Sequence, residues 1–73
     1  MTQLERVVAI CKGEGWKTLR EIEKSCRVRY DAHDMQTAIS ARLRDTSKLA
    51  VMKLKKESRR ESSGLWLYRI TAL

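Results

Sequence analysis

Asp34-Met35-Gln36-Thr37-Ala38-Ile39-Ser40-Ala41-Arg42-Leu43-Arg44-Asp45 carries the pattern of an amphipathic helix with two unlike faces. Met35, Ala38, Ile39, Leu43 and the methyl of Thr46 recur at i, i+3, i+4, i+8 and i+11, the spacing of one buried stripe. Turning by about 100° per residue, the opposite face collects Thr37, Ser40, Ala41, Arg44 and Lys48, with Gln36 and Ser47 at its edge. That face is short, polar and basic and carries no carboxylate; Asp45 projects to the flank that also holds Ala38. A helix that serves only solubility mixes both signs on its wet side. Hydroxyls, an amide and arginine turned outward instead suit phosphates and base edges.

The rest of the composition narrows the partner. Seventy-three residues make one small domain, spanning 1–73, with a modest core. No apolar run approaches the roughly 18 residues of a membrane span. The first residues lack the pattern of a signal peptide, so the expected location is the cytoplasm, or the nucleoid in a bacterium. Net charge is +7, and Arg42, Arg44, Lys48, Lys53, Lys55, Lys56, Arg59 and Arg60 face only Asp45 and Glu57 in their segment. Positive charge concentrated in this way implies a polyanion, nucleic acid or an anionic membrane. Solvated lysines are the bland alternative; it weakens because the charge coincides with the end of the polar helix face. Cys11 and Cys26 lack CxxC spacing and His33 is the only histidine, which favours two buried thiols over a zinc site or a disulfide. No cofactor and no metal are expected.

On the N-terminal side, Thr2-Gln3-Leu4-Glu5 has the form of a capping box. Leu4, Val7, Val8 and Cys11 then give the stripe of a first helix, with Gly13 as its left-handed stop and Gly15 in the link that follows. Trp16 and Lys17 form a short extended piece, Trp16 being read as core rather than as a base-stacking platform. A second capping box, Thr18-Leu19-Arg20-Glu21, opens a helix with Leu19, Ile22 and Cys26 inward. Arg27 to His33 connects it to the central helix, with Val28 and Tyr30 beneath the turn, Arg27 and Arg29 free for phosphate, and His33 exposed. Asp31 and Asp34 both qualify as N-caps.

On the C-terminal side, Leu49 to Lys56 shifts toward alternation, as in a half-buried strand with Met52 and Leu54 inward and Lys53 and Lys55 outward. Glu57 to Gly64 reads as a polar hairpin tip. Leu65 to Ile70 is the clearest strand, with Trp66, Tyr68 and Ile70 assigned to the core and Leu65, Leu67 and Arg69 to the other face.

Three segments carry a resemblance. Trp16-Lys17-Thr18-Leu19-Arg20-Glu21-Ile22, Ile39-Ser40-Ala41-Arg42-Leu43-Arg44-Asp45 and Gly64-Leu65-Trp66-Leu67-Tyr68-Arg69-Ile70 resemble the W-x-T-L-R-E-I, S-A-R-L-R-D-L and G-x-W-x-Y-R-L segments of small winged helix-turn-helix proteins of phages and prophages. The resemblance implies an α+β fold, three helices followed by a two-stranded β wing. It implies a third helix in the DNA major groove and a wing along the backbone or in the minor groove. Carried over, Ser40 matches the serine of the third helix's exposed turn, Arg44 a basic residue beyond it, and Lys55, Lys56, Arg59 and Arg60 the basic wing. Ala41 stands where many such proteins place a basic or polar reader.

The function that follows is non-enzymatic binding of double-stranded DNA, by a small transcriptional regulator or an accessory factor for replication or recombination. The recognition-helix candidates are Gln36, Thr37, Ser40, Ala41, Arg44 and Lys48. The candidates on the wing and its flanks are Lys53, Lys55, Lys56, Arg59, Arg60 and Arg29. Arg42 has two readings: its stem lies on the core while its head pairs with a carboxylate, or it snorkels to the DNA backbone. The alternative function is a protein-interaction module, with Leu65, Leu67 and Val51 or Met52 as its sticky surface. RNA or single strands rank behind both, because few aromatics are expected at the surface. One histidine and no G-K-[ST] loop ending leave no catalytic constellation to build on. The free protein is expected as a monomer, and a DNA site can recruit two copies.

Overall fold

The computed structural model describes residues 1–13 and 15–73. It is an α+β arrangement of α1 (Gln3–Cys11), α2 (Leu19–Tyr30), α3 (Gln36–Arg44), α4 (Thr46–Val51), β1 (Leu54–Arg60) and β2 (Trp66–Ala72). The strands form one antiparallel hairpin. Both capping boxes form as the sequence predicts: Thr2 and Thr18 accept from the amides of Glu5 and Glu21, whose carboxylates accept back from Thr2 and Thr18. Val7, Val8, Ile10 and Cys11 of α1 meet Ile22 and Cys26 of α2, Ile39 and Leu43 of α3, Leu49 of α4, and Leu54 and Ile70 of the hairpin. That single cluster is the core. Burial pushes the Cys11 thiol up to about 12; burial and a hydrogen bond to Asp34 push Cys26 up to about 11.

Several expected boundaries move, each for a physical reason. Among the described residues, four helices stand where three were expected. The extra one forms because Asp45 leaves the helical conformation (φ −83°, ψ 72°) and accepts from the Lys48 amide and the Ser47 hydroxyl, capping a new helix. Thr46 is therefore exposed, outside the α3 stripe, and Leu49 enters the core from a helix rather than a strand. Val51 and Met52 end that helix exposed, and Lys53 turns the chain into β1 at φ 59°. Gly13 is not the left-handed stop of α1; Lys12 ends that helix in a right-handed conformation, and Gly15 takes φ 80°.

The link between α2 and α3 is shorter than expected. Helix α2 continues through Arg27, Val28 and Arg29 to Tyr30, and Asp31 closes it at φ 51°. Asp31 is thus a C-terminal residue, not an N-cap, and Val28 is exposed instead of packed. Helix α3 begins at Gln36 with Met35 before it, exposed and without a side-chain cap. Asp34 does not cap because its carboxylate is already used. Arg6 donates from Nε to Oδ2 at 2.8 Å and from Nη2 to Oδ1 at 2.7 Å, and Gln3 donates to Oδ1 at 3.0 Å. Asp34 is only 6% exposed, and the Arg6 guanidinium holds its carboxyl down at about 2. This clamp fixes the entry of α3 against α1.

The hairpin differs from expectation in extent and in which side is buried. Strand β1 runs to Arg60, so the tip is only 61–65, closed by Gly64 N–H donating to Glu61 and Glu61 N–H donating to Leu65. Gly64 sits at φ 89°, which favours glycine. Ile70 and Leu54 do face the core, with Tyr68 half-buried beside them. Trp66, expected inside, is 48% exposed, whereas Leu67, expected outside, is 7% exposed. The cause is a third strand-like segment. Lys17 and Tyr68 exchange both backbone hydrogen bonds, at 2.9 and 2.8 Å. Pairing in that register lays Trp16 on the side of β2 that carries Leu67 and Arg69. Trp16 is therefore half-buried outside the core, with the guanidinium carbons of Arg69 and Arg59 at 4.4 and 5.0 Å from its ring centre.

Candidate nucleic-acid interface

The register divides the hairpin into two chemically distinct sides. Lys55, Glu57 and Arg59 lie opposite Thr71, Arg69 and Leu67, forming the outer side under Trp16. Charge there is largely answered: Arg69 donates to Glu57 at 2.9 Å, lowering the pKa of Glu57, and both arginines lie over Trp16. Lys56, Ser58 and Arg60 lie opposite Ile70, Tyr68 and Trp66. Beyond Ile70, where the core ends, this inner side turns toward α3.

Three adjoining concavities run between that inner side and the helices. The first, of about 230 Å³, is lined by Ser40, Leu43, Arg44, Lys56, Ser58, Trp66 and Tyr68. A second, bounded by Leu19, Gln36, Thr37, Ser40 and Arg44, continues along α3. The third, of about 460 Å³, reaches the start of α2 and the hairpin tip through Thr18, Leu19, Arg20, Gln36, Gly64, Leu65, Trp66 and Tyr68. Shared residues join them into one groove. Among the described residues, its lining holds arginine, lysine, hydroxyls and an amide but no carboxylate.

The sequence-derived candidates divide accordingly. Gln36, Thr37, Ser40 and Arg44 come together on α3 and line the groove, and Lys56 joins them from β1. Gln36 also donates from Nε2 to Glu23 at 3.2 Å, which ties it to α2. Arg60 lies on the same hairpin side, opposite Trp66 and close to Gly64. Ala41 is half-buried and not in the lining.

Lys48 is not on α3 at all. It lies on α4, 3.8 Å from Asp45, whose carboxyl is lowered chiefly by the Ser47 hydroxyl. Lys53 is at the hairpin base, while Lys55 and Arg59 belong to the outer side. Arg29 is in the last turn of α2, roughly 15 Å along the helix from Leu19, with its guanidinium over Tyr30. The charge of Arg42 helps lower the pKa of Asp45, but the buried Nε of Arg42 has no hydrogen-bond partner among the described residues.

Thr18, Arg20, Ser58, Trp66 and Tyr68 are groove residues that the sequence reading did not select. Arg20 sits one position inside a helix N-terminus and looks like ordinary helix surface. The alternation of β2 gave the face shared by Trp66 and Tyr68, but not the point where that face leaves the core. Comparison with known families, characterised proteins and solved structures gives no match for this chain.

Proposed function

We propose that this chain is a winged helix-turn-helix protein that binds double-stranded DNA without catalysing a reaction. Helix α3 enters the major groove and the hairpin acts as the wing, on the backbone or in the minor groove. The observation that carries this reading is the groove between them, in whose lining the described residues place no carboxylate. A polyanion strand laid along it meets Arg20, Arg44 and Lys56 and the hydroxyls of Thr37, Ser40 and Ser58, with no like charge in the lining among the described residues. Arg44 is the base reader, its fork of donors suiting guanine O6 and N7. Lys56 and Ser40 are phosphate contacts that set register. A small regulator of transcription, or an accessory factor in replication or recombination, is the role this fits.

Selection of bound fragments from random duplex DNA tests the proposal, followed by titration of Arg44→Ala on the selected site and on a scrambled one. Recovery of a common site, with the loss confined to it, is the expected result. Failure to retain any duplex at low salt overturns the reading.

A protein-docking role is the second reading, and one observation favours it: Val51, Met52 and Leu73 are exposed near the hairpin base. The Leu65–Leu67 patch does not support it, because Leu67 is buried. A partner captured in high salt after nuclease treatment would select this role.

A further inference from the structure

We infer that the concavity beside Trp66 seats one unpaired nucleobase, so that the protein prefers duplex DNA containing an extrahelical base. The inference rests on the duplex-binding reading above and extends it to the apolar wall of the same groove. Trp66 is 48% exposed and borders both the 230 Å³ and the 460 Å³ concavities. Among the described residues no cation lies over its ring; the two arginines found over an indole are on Trp16.

The larger concavity has apolar walls in Leu19, Leu65, Trp66 and Tyr68 and polar groups in Thr18, Arg20 and Gln36. This is the composition of a small-ligand site: flat apolar area with a few hydrogen-bonding groups. Phosphate has no use for that apolar area. Bases stacked inside a duplex present only their edges. An unpaired base has a π face for Trp66, and its edge can meet the Gln36 amide, the Thr18 hydroxyl or the Arg20 guanidinium. The phosphates on either side of it then face Arg44 and Lys56. A base that is already unpaired spares the unstacking energy that a paired one requires, and this is the source of the preference.

The test is fluorescence anisotropy of the whole chain on three labelled duplexes of one sequence: fully paired, with one unpaired thymine, and with an abasic residue in its place. Base–aromatic stacking predicts about tenfold tighter binding to the unpaired thymine than to either other duplex. Trp66→Phe retains most of that preference. Trp66→Leu loses it, so that its affinities for the thymine and abasic duplexes become equal. Because Trp66 is half-exposed, both variants should fold, as circular dichroism can verify, and the parent's ranking stands as a test by itself.

Equal parental binding to all three duplexes overturns this inference and leaves the duplex reading intact. Equal affinity for the abasic and thymine duplexes also overturns it, showing that a flexible joint and not a base is recognised. A preference that persists in Trp66→Leu refutes the stacking. No binding to any duplex removes the functional reading and this inference together.

Discussion

Asp34 serves two elements at once, and removing its charge should loosen both. With Asp34→Asn, Arg6 keeps its charge but loses its carboxylate in a half-closed site. The expected cost is about 3 kcal/mol in urea melts at neutral pH. The same pair shapes the response to acid. Folded Asp34 titrates at about 2, below its ordinary 3.8. Its contribution is therefore complete above the ordinary carboxylate range and is lost as pH falls through the folded value. Parental stability should decline between about pH 5 and pH 2, and Asp34→Asn should show a shallower decline. Parallel curves would assign the acid response to Glu5, Asp45 and Glu57, whose carboxyls are also lowered. At the interface, single residues should separate by position. Arg44→Ala should cost roughly 1–3 kcal/mol on a selected site and much less on a scrambled duplex. Lys56→Ala should weaken both alike and flatten the dependence of log affinity on log salt by about one unit. Arg59→Ala should do neither, because Arg59 lies over Trp16 on the side turned from α3. A loss with Arg59→Ala equal to that with Lys56→Ala would place DNA on the outer side.

At the scale of elements, the hairpin makes the sharpest stability prediction. Leu67→Ala should cost about 2–4 kcal/mol, and Trp66→Ala less than about 1.5 kcal/mol despite the larger side chain. Chemical denaturation of the two variants checks this, and the reverse order would exchange the hairpin's sides. This is also where the sequence was least informative. Alternation in β2 defines two faces but cannot say which is covered. The answer depends on Trp16, brought alongside by backbone pairing between Lys17 and Tyr68, which are distant in the chain. The N-termini of α1 and α2 were legible because capping boxes are local, four-residue devices. Asp34 was misread for the opposite reason: an acid before a helix looks like a cap, and its true partner, Arg6, is 28 residues away. The break at Asp45 was legible in principle, since Asp45-Thr46-Ser47 is a cap signal, but Thr46 also fits the apolar spacing of α3. The polar face of α3 needed only helical periodicity, so Gln36, Thr37, Ser40 and Arg44 were found together. The basic residues of the hairpin needed the register, and without it both sides looked equivalent.

For the molecule as a whole, the exposed Val51, Met52 and Leu73 raise the question of self-association. Sedimentation at micromolar concentration should give a single species near 8.5 kDa. A species of twice that mass, abolished by Val51→Glu, would show that α4 and the hairpin base form an interface between copies. The pairing of Lys17 with Tyr68 also bears on how the protein is made. A ribosome releases the chain from its N-terminus at roughly 5–20 residues per second. The three long helices therefore emerge before the residues that complete their core, Leu54 and Ile70, and before the strand that holds Trp16. For an interval on the order of seconds, the nascent helices present uncovered leucine and isoleucine to chaperones and proteases.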